Sequence, residues 1–255
     1  KNLSIGFTSR AGVTLPILRN IDLAIGEGES IGLVGESGGG KSTLALAMMG
    51  YLKSGLHVLE GESLFRGRNV FDMDKRALEG IRGGELALIP QNAGQSLTPT
   101  SRIGRQIDES VKLHTDFSKK QRHERVIELL LQVRLPQPEE LLKRYPHELS
   151  GGQRQRVGIC RALIQQPKLL LVDEPAAGLT DLETELSAEL LLELKDEHTI
   201  IVIEHDMDFI ARLCDPVIVM AEGKKLAQGT IDEIKADDQV IEAYLGTGLK
   251  NKETV

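Results

Sequence analysis

The stretch Gly35-Glu36-Ser37-Gly38-Gly39-Gly40-Lys41-Ser42 constrains this chain more than any other. It follows the short apolar run Ser30–Val34 and precedes Ser42–Met49, a run of good helix formers with no breaker. Strand, glycine loop and helix make one supersecondary unit. The spacing fits G-x-x-x-x-G-K-[ST]. Glycines let backbone N–H groups turn inward around a polyphosphate, and the helix that begins near Lys41 aims its positive dipole end at the same anion. Lys41 can reach the β- and γ-phosphates, and the Ser42 hydroxyl can ligate Mg²⁺. Thr43 completes a nucleotide-binding run over Gly35–Thr43. A glycine-rich loop can match such a pattern by chance. The strand before it and the helix after it are the context that makes it a nucleotide site.

The rest of the chain alternates in kind. Residues 3–7 and 17–25 read as strands with a loop at Thr8–Pro16, and Gly26–Glu29 reads as a turn. Another strand and turn fall within 61–71, and Glu85–Pro90 reads as a strand leading into a polar stretch. Residues 118–133 have the period of an amphipathic helix, and a second helix starts at Ser150. Leu169–Val172 is a continuous apolar run of the kind buried in a parallel sheet. Residues 181–195 are expected as helix, 199–203 and 216–220 as strands, and short helix signals follow Ile231. Alternating strands and helices predict an α/β fold with a largely parallel sheet. The segment 92–157 has helix signals and no convincing buried strand. It is therefore expected as a helical subdomain inserted in an α/β core made of 1–91 and 158–246, with a polar tail over 247–255.

The apolar run at 169–172 ends in Asp173-Glu174. The C-terminal edge of a buried parallel strand is where α/β proteins bind ligands. Asp173 there is placed to hold Mg²⁺, directly or through water, and Glu174 to polarise an attacking water as general base. Two solvated acids at a strand end are the plain alternative, and the phosphate loop weighs against it.

Bulk properties fit this picture. A chain of 255 residues with 40% hydrophobic and 27% charged residues can bury a sizeable core. A net charge of −7 and a pI near 5.5 argue against a dedicated nucleic-acid binder. Cys160 and Cys214 form no CxxC pair and read as small buried residues in a reducing compartment. No apolar run approaches the roughly 18 residues of a membrane span, and the N-terminal KNLSIGF lacks a signal-peptide layout. Any service to a membrane is therefore expected to run through a partner.

A third motif carries a family resemblance. Leu149-Ser150-Gly151-Gly152-Gln153, continued by Arg154-Gln155-Arg156, resembles the signature sequence of ATP-binding-cassette ATPases. Phosphate loop, signature and acidic strand follow in that family's order, and the resemblance covers nearly the whole chain. It implies an α/β phosphate-loop sheet domain with an inserted helical subdomain and an N-terminal antiparallel β element. Gln91 resembles the family's glutamine loop, which senses Mg²⁺ and couples the site to a membrane partner. His205 resembles the switch histidine that contacts the γ-phosphate, although by itself a lone His after a strand is a packed or surface residue. Phe7 lies where the family places an aromatic that stacks on adenine. Ser150 with Gly151, Gly152 and Gln153 opens a helix and offers a hydroxyl, free N–H groups and a helix dipole. The resemblance implies that this tip closes on the γ-phosphate held by a second ATPase subunit, the same chain or a different one, in a head-to-tail dimer. It also implies ATP and Mg²⁺ as ligands and ATP hydrolysis coupled to import. Transmembrane permease subunits, and through them a substrate-binding protein, are the implied partners, with a peripheral place on the cytoplasmic face of the membrane and no nucleic-acid partner.

Residues Gly55–Arg105 resemble the ATPases of oligopeptide, dipeptide and nickel importers, whereas Asp173–Gly246 resembles those of urea and branched-chain amino-acid importers. Where the family often has Asp six residues after the catalytic Glu, this chain has Thr180 and then Asp181. The resemblance therefore assigns neither residue a contact across the dimer. Competing readings are a cassette ATPase of DNA repair or translation, and a phosphate-loop kinase. The first needs a coiled-coil insert or a second cassette, and the second leaves Leu149–Gln153 unexplained.

Overall fold

A computed structural model describes residues 1–9, 12–91 and 93–245. The expected polar tail over 247–255 lies outside the described residues. The chain forms two compact units, one of Lys1–Arg82 with the segment from Thr199 onward, the other of Gly83–His198.

The first unit begins with β1 (Leu3–Thr8), β2 (Thr14–Ile21), β3 (Ser30–Gly35), α1 (Lys41–Met48), β4 (Leu56–Glu60), the short strands β5 (Leu64–Phe65) and β6 (Arg68–Asn69), and α2 (Lys75–Ile81). The second holds β7 (Leu86–Ile89), α3 (Ile103–His114), α4 (Lys119–Gln132), α5 (Pro138–Leu141), α6 (Gly151–Ala162), β8 (Leu169–Asp173) and α7 (Asp181–Leu194). The chain then returns to the first unit with β9 (Thr199–Ile203), α8 (Met207–Leu213), β10 (Val217–Ala221), β11 (Lys224–Gly229), α9 (Ile231–Ala236) and α10 (Asp238–Val240).

In the first unit β3 pairs in parallel with β10 on one side and β9 on the other. All three strands are apolar runs rather than alternating ones because both of their faces are covered. β11 closes the edge of β10 as an antiparallel hairpin. Its two turn residues, Glu222 and Gly223, have φ of +48 and +75, as a type I′ turn requires. A separate antiparallel sheet runs in the order β2-β1-β4. β2 starts at Thr14, earlier than the sequence suggests, because Thr8↔Thr14 and Phe7↔Leu15 pair across the β1–β2 hairpin. Pro16 is tolerated there because β2 is an edge strand.

In the second unit β7 and β8 pair in parallel, from Leu86↔Leu169 to Ile89↔Val172. The described elements between them are all helical. α3 buries Ile103, Ile107 and Val111, one face at a four-residue spacing, and α4 buries Val126, Leu129 and Leu130. α4 starts with a full capping box between Ser118 and Gln121. Arg134, just past α4, reaches both Glu189 and Glu193 on α7. α6 lies close under the turn Ala93–Ser96, where a Cβ on Gly158 would come within 2.5 Å of Ala93 Cβ. Both cysteines are buried, as expected. Burial pushes the Cys160 thiol up to about 12, so it is inert packing material at neutral pH.

Candidate nucleotide site

The phosphate loop belongs to the first unit. β3 ends in Gly35 at φ +149, and a Cβ there would lie 2.1 Å from the Met220 carbonyl oxygen on β10. Only glycine lets the loop leave the sheet at that point. Glu36, Ser37 and Gly38 are exposed at the tip, with Gly38 at φ +83. The Gly39 N–H closes the turn onto the Glu36 carbonyl at 3.0 Å. Gly40, at φ +96, precedes α1 as its cap, and no side chain caps the helix start. With no side chain at that start, the positive end of the helix dipole favours an anion there. The Lys41 chain is buried at the base of the loop, its Nζ donating to the Gly35 and Glu36 carbonyls at 2.8 and 2.9 Å. A buried ammonium held by loop carbonyls at an uncapped helix start fits a polyphosphate. Ser42 and Thr43 follow on the first turn, both half-buried.

The other expected members of this unit are Phe7 and His205. Phe7 sits on β1 between Leu15 and Leu56, 40% exposed, so an apolar ring is offered to solvent. β1 is the central strand of its sheet, and the ring covers Gly55, where a Cβ would meet it at 2.7 Å. His205 follows β9, with a side chain 70% exposed beside a Glu204 carboxylate that is almost fully buried. Glu204 Oε2 accepts the His205 backbone N–H at 3.0 Å and lies 3.3 Å from its Nδ1. Sequence reading passed over Glu204, a buried acid that directly follows β9.

In the second unit the acidic strand end and the glutamine come together. Asp173 is the last residue of β8. Glu174 follows at φ +46, a left-handed conformation that costs a non-glycine residue about 1–3 kcal/mol. Its carboxylate accepts a hydrogen bond from Gln91 Nε2. Two residues singled out separately in the sequence, one after β7 and one after β8, thus form a contact pair at neighbouring strand ends. Gln155 on α6 is a second residue that sequence reading missed: its buried amide donates to the Pro175 carbonyl at 2.6 Å. It ties the signature helix to the loop that carries Glu174.

Ser150 is the N-cap of α6. Its Oγ accepts the Gln153 N–H at 3.2 Å and its own N–H donates to Gln153 Oε1 at 3.0 Å, a complete capping box. Gly151 is exposed, with open space around its Cα, and Gly152 is buried. Glu183 on α7 accepts from both Ser150 Oγ and the Gly152 N–H, each at 2.9 Å. The Gly152 N–H, chiefly, holds the Glu183 carboxyl below the ordinary carboxylate range. Glu183 was not singled out in the sequence, although Thr180-x-x-Glu183 is a legible capping box for α7.

An uncapped glycine loop over a buried lysine, within an α/β fold, defines a phosphate-loop nucleotide-binding protein. The chain belongs to the ATP-binding-cassette transporter family and is an ATPase of that family: the family described as "ABC transporter" matches residues 18–177. A second match, to the family described as "Branched-chain amino acid ATP-binding cassette transporter", covers residues 224–250. Among relatives, the oligopeptide transport ATP-binding protein OppD of Bacillus subtilis is 37% identical over 249 residues, covering 93% of this chain and 67% of that protein. The peptidoglycan transport ATP-binding protein YejF of Agrobacterium fabrum is 39% identical over 94% of this chain, but the chain spans only 44% of it. The resemblance to peptide-transport ATPases therefore extends well beyond the N-terminal half, while a branched-chain type of sequence is found at the C-terminal end. Among solved structures, the dimeric post-hydrolysis cassette MJ0796 bound to ADP and Pi superposes with a TM-score of 0.78 at 26% identity, covering 91% of this chain and 97% of that one. The cbiO1 protein of Clostridium perfringens, part of the transporter complex cbiONQ, gives 0.77 at 27% identity, covering 98% and 96%.

Proposed function

We propose that this chain binds and hydrolyses ATP as one of two cassettes in a head-to-tail dimer that powers an importer. Permease subunits are the membrane partners, and a substrate-binding protein is the indirect one. Among the described residues no helix is long and apolar enough to cross a membrane. A peripheral place on the cytoplasmic face, reached through the permease, is part of the same proposal. The names of the relatives support peptides as the cargo class.

The observation that carries the dimer reading is the second helix start at Ser150, a polar tip with a hydroxyl and exposed Gly151 N–H, distinct from the phosphate loop. A small-molecule kinase has no use for it. In this reading Gly35–Thr43 cradle the phosphates, with Lys41 on the β- and γ-groups, and Phe7 stacks on adenine. The helical segment 92–157 is proposed as the subdomain that brings Ser150, Gly151, Gly152 and Gln153 to the partner's γ-phosphate. Mg²⁺ would neutralise charge on the β- and γ-oxygens. Ser42, Gln91 and Asp173 suit it because all three offer the hard oxygen ligands that Mg²⁺ prefers. Glu174 orients the lytic water and takes its proton, Gln91 holds the Glu174 carboxylate, and His205 steadies the γ-phosphate. Donors fixed in advance at the phosphate oxygens supply most of the acceleration.

The test is Glu174→Gln, with Lys41→Ala as its control. Glu174→Gln should keep ATP binding, accumulate an ATP-dependent dimer on size-exclusion chromatography and lose about 10²-fold or more in turnover. Lys41→Ala should lose ATP affinity and form no such dimer. Wild-type turnover in Glu174→Gln would remove Glu174 from the base role.

A further inference from the structure

The donors that the dimer reading reserves for a partner's γ-phosphate are already occupied from within the chain. Glu183 Oε1 takes the Ser150 hydroxyl and the Gly152 N–H together, each at 2.9 Å. The fit is close: a Cβ on Gly152 would stand 2.8 Å from that same oxygen. An anionic oxygen held by a serine hydroxyl and a backbone N–H at a helix start has the chemistry of a bound phosphate oxygen.

We propose that Glu183 is an internal stand-in for the γ-phosphate, occupying the signature tip of the ATP-free protomer and setting how much ATP is needed to close the dimer. The proposal rests on the reading of Ser150–Gln153 as the tip that grips a partner's nucleotide. Two anions cannot share one pair of donors, so closure requires the carboxylate to leave. Its destination is built in. Glu183 Oε2 already lies 3.3 Å from both the N–H and the Oγ of Thr180, the reciprocal half of the α7 capping box. A rotation that gives up Oε1's two partners can leave the helix cap in place. Glu183 thus has two sets of partners three residues from Thr180, where this chain departs from the family's usual Asp. A nucleotide without a γ-phosphate offers nothing to displace the carboxylate, so the contact also sharpens the choice of ATP over ADP as the ligand that closes the dimer.

The experiment uses the full chain carrying Glu174→Gln, in which ATP holds the dimer without turnover. Association is followed by sedimentation as ATP is titrated, with and without Glu183→Gln. Glutamine keeps the capping box but replaces a charged acceptor with a neutral one, so the ATP midpoint should fall about tenfold. Glu183→Ala, which empties the position, should lower the midpoint at least as far. Binding of fluorescent ADP reports the phosphate loop alone and should be the same in all three chains. A midpoint that stays put or moves to higher ATP overturns the stand-in role and leaves the dimer reading intact. Absence of ATP-dependent association in the parent chain overturns both.

Discussion

Gly35 concentrates the constraint on the phosphate loop into one residue. Its φ of +149 and the Met220 carbonyl 2.1 Å from a would-be Cβ are independent obstacles to a side chain. The carbonyl is backbone in a central strand and has nowhere to go. Gly35→Ala should therefore cost more than about 2 kcal/mol of stability and abolish ATP binding in any folded remnant, as read by urea unfolding and nucleotide titration. The loop lysine, the acidic pair and the serine cap were legible because each belongs to a short pattern with fixed spacing. Glu204 was not, since one buried acid after an apolar strand has no periodic signal and gains meaning only beside His205. Gln155 was hidden for a related reason: its bond to the Pro175 carbonyl joins residues from separate elements.

At the scale of elements, α4 and α6 start alike. Ser118 and Ser150 each complete a capping box with a glutamine three residues on. Local physics gives both the same worth, about 1 kcal/mol for a serine cap. The difference is what else the serine touches: Ser150 also donates to Glu183, whereas Ser118 bonds only within its own helix start among the contacts described. Ser118→Ala should lower stability by about 1 kcal/mol and leave ATP turnover unchanged, with denaturation and phosphate-release assays as the two measurements. The buried parallel strands β3, β8, β9 and β10 were read from the sequence as apolar runs. β4 and β11 were not. β4 is half-exposed, and β11, KKLAQG, has no fully buried position, so each owes its strand to pairing with a neighbour rather than to a hydrophobic pattern.

For the whole molecule, a head-to-tail pair makes a prediction that a self-sufficient protomer does not. Each pocket would take its phosphate loop from one chain and its serine-led tip from the other. A dimer of one Lys41→Ala chain and one Ser150→Ala chain then places both defects in one pocket and leaves the other intact. Mixing the two impaired variants in equal amounts should restore turnover, because each mixed dimer has one intact pocket of two. If every pocket came from a single chain, mixing would restore nothing. The family architecture was legible in the order of motifs along the chain. The boundaries of the compact units were not, because they follow how densely segments pack, and the sequence records only which segments are apolar.

The Glu222–Gly223 turn has a consequence for how ligand arrives. Gly223 gives its N–H to the Gly39 carbonyl at 3.2 Å and takes the Arg19 N–H at 2.8 Å, and no side chain would fit there, with the Ile17 carbonyl 2.0 Å from its would-be Cβ. The cradle is braced from behind by a hairpin tip that is itself clamped to a neighbouring strand. A triphosphate therefore meets a mould already set, and little of its binding energy is spent on freezing the receptor.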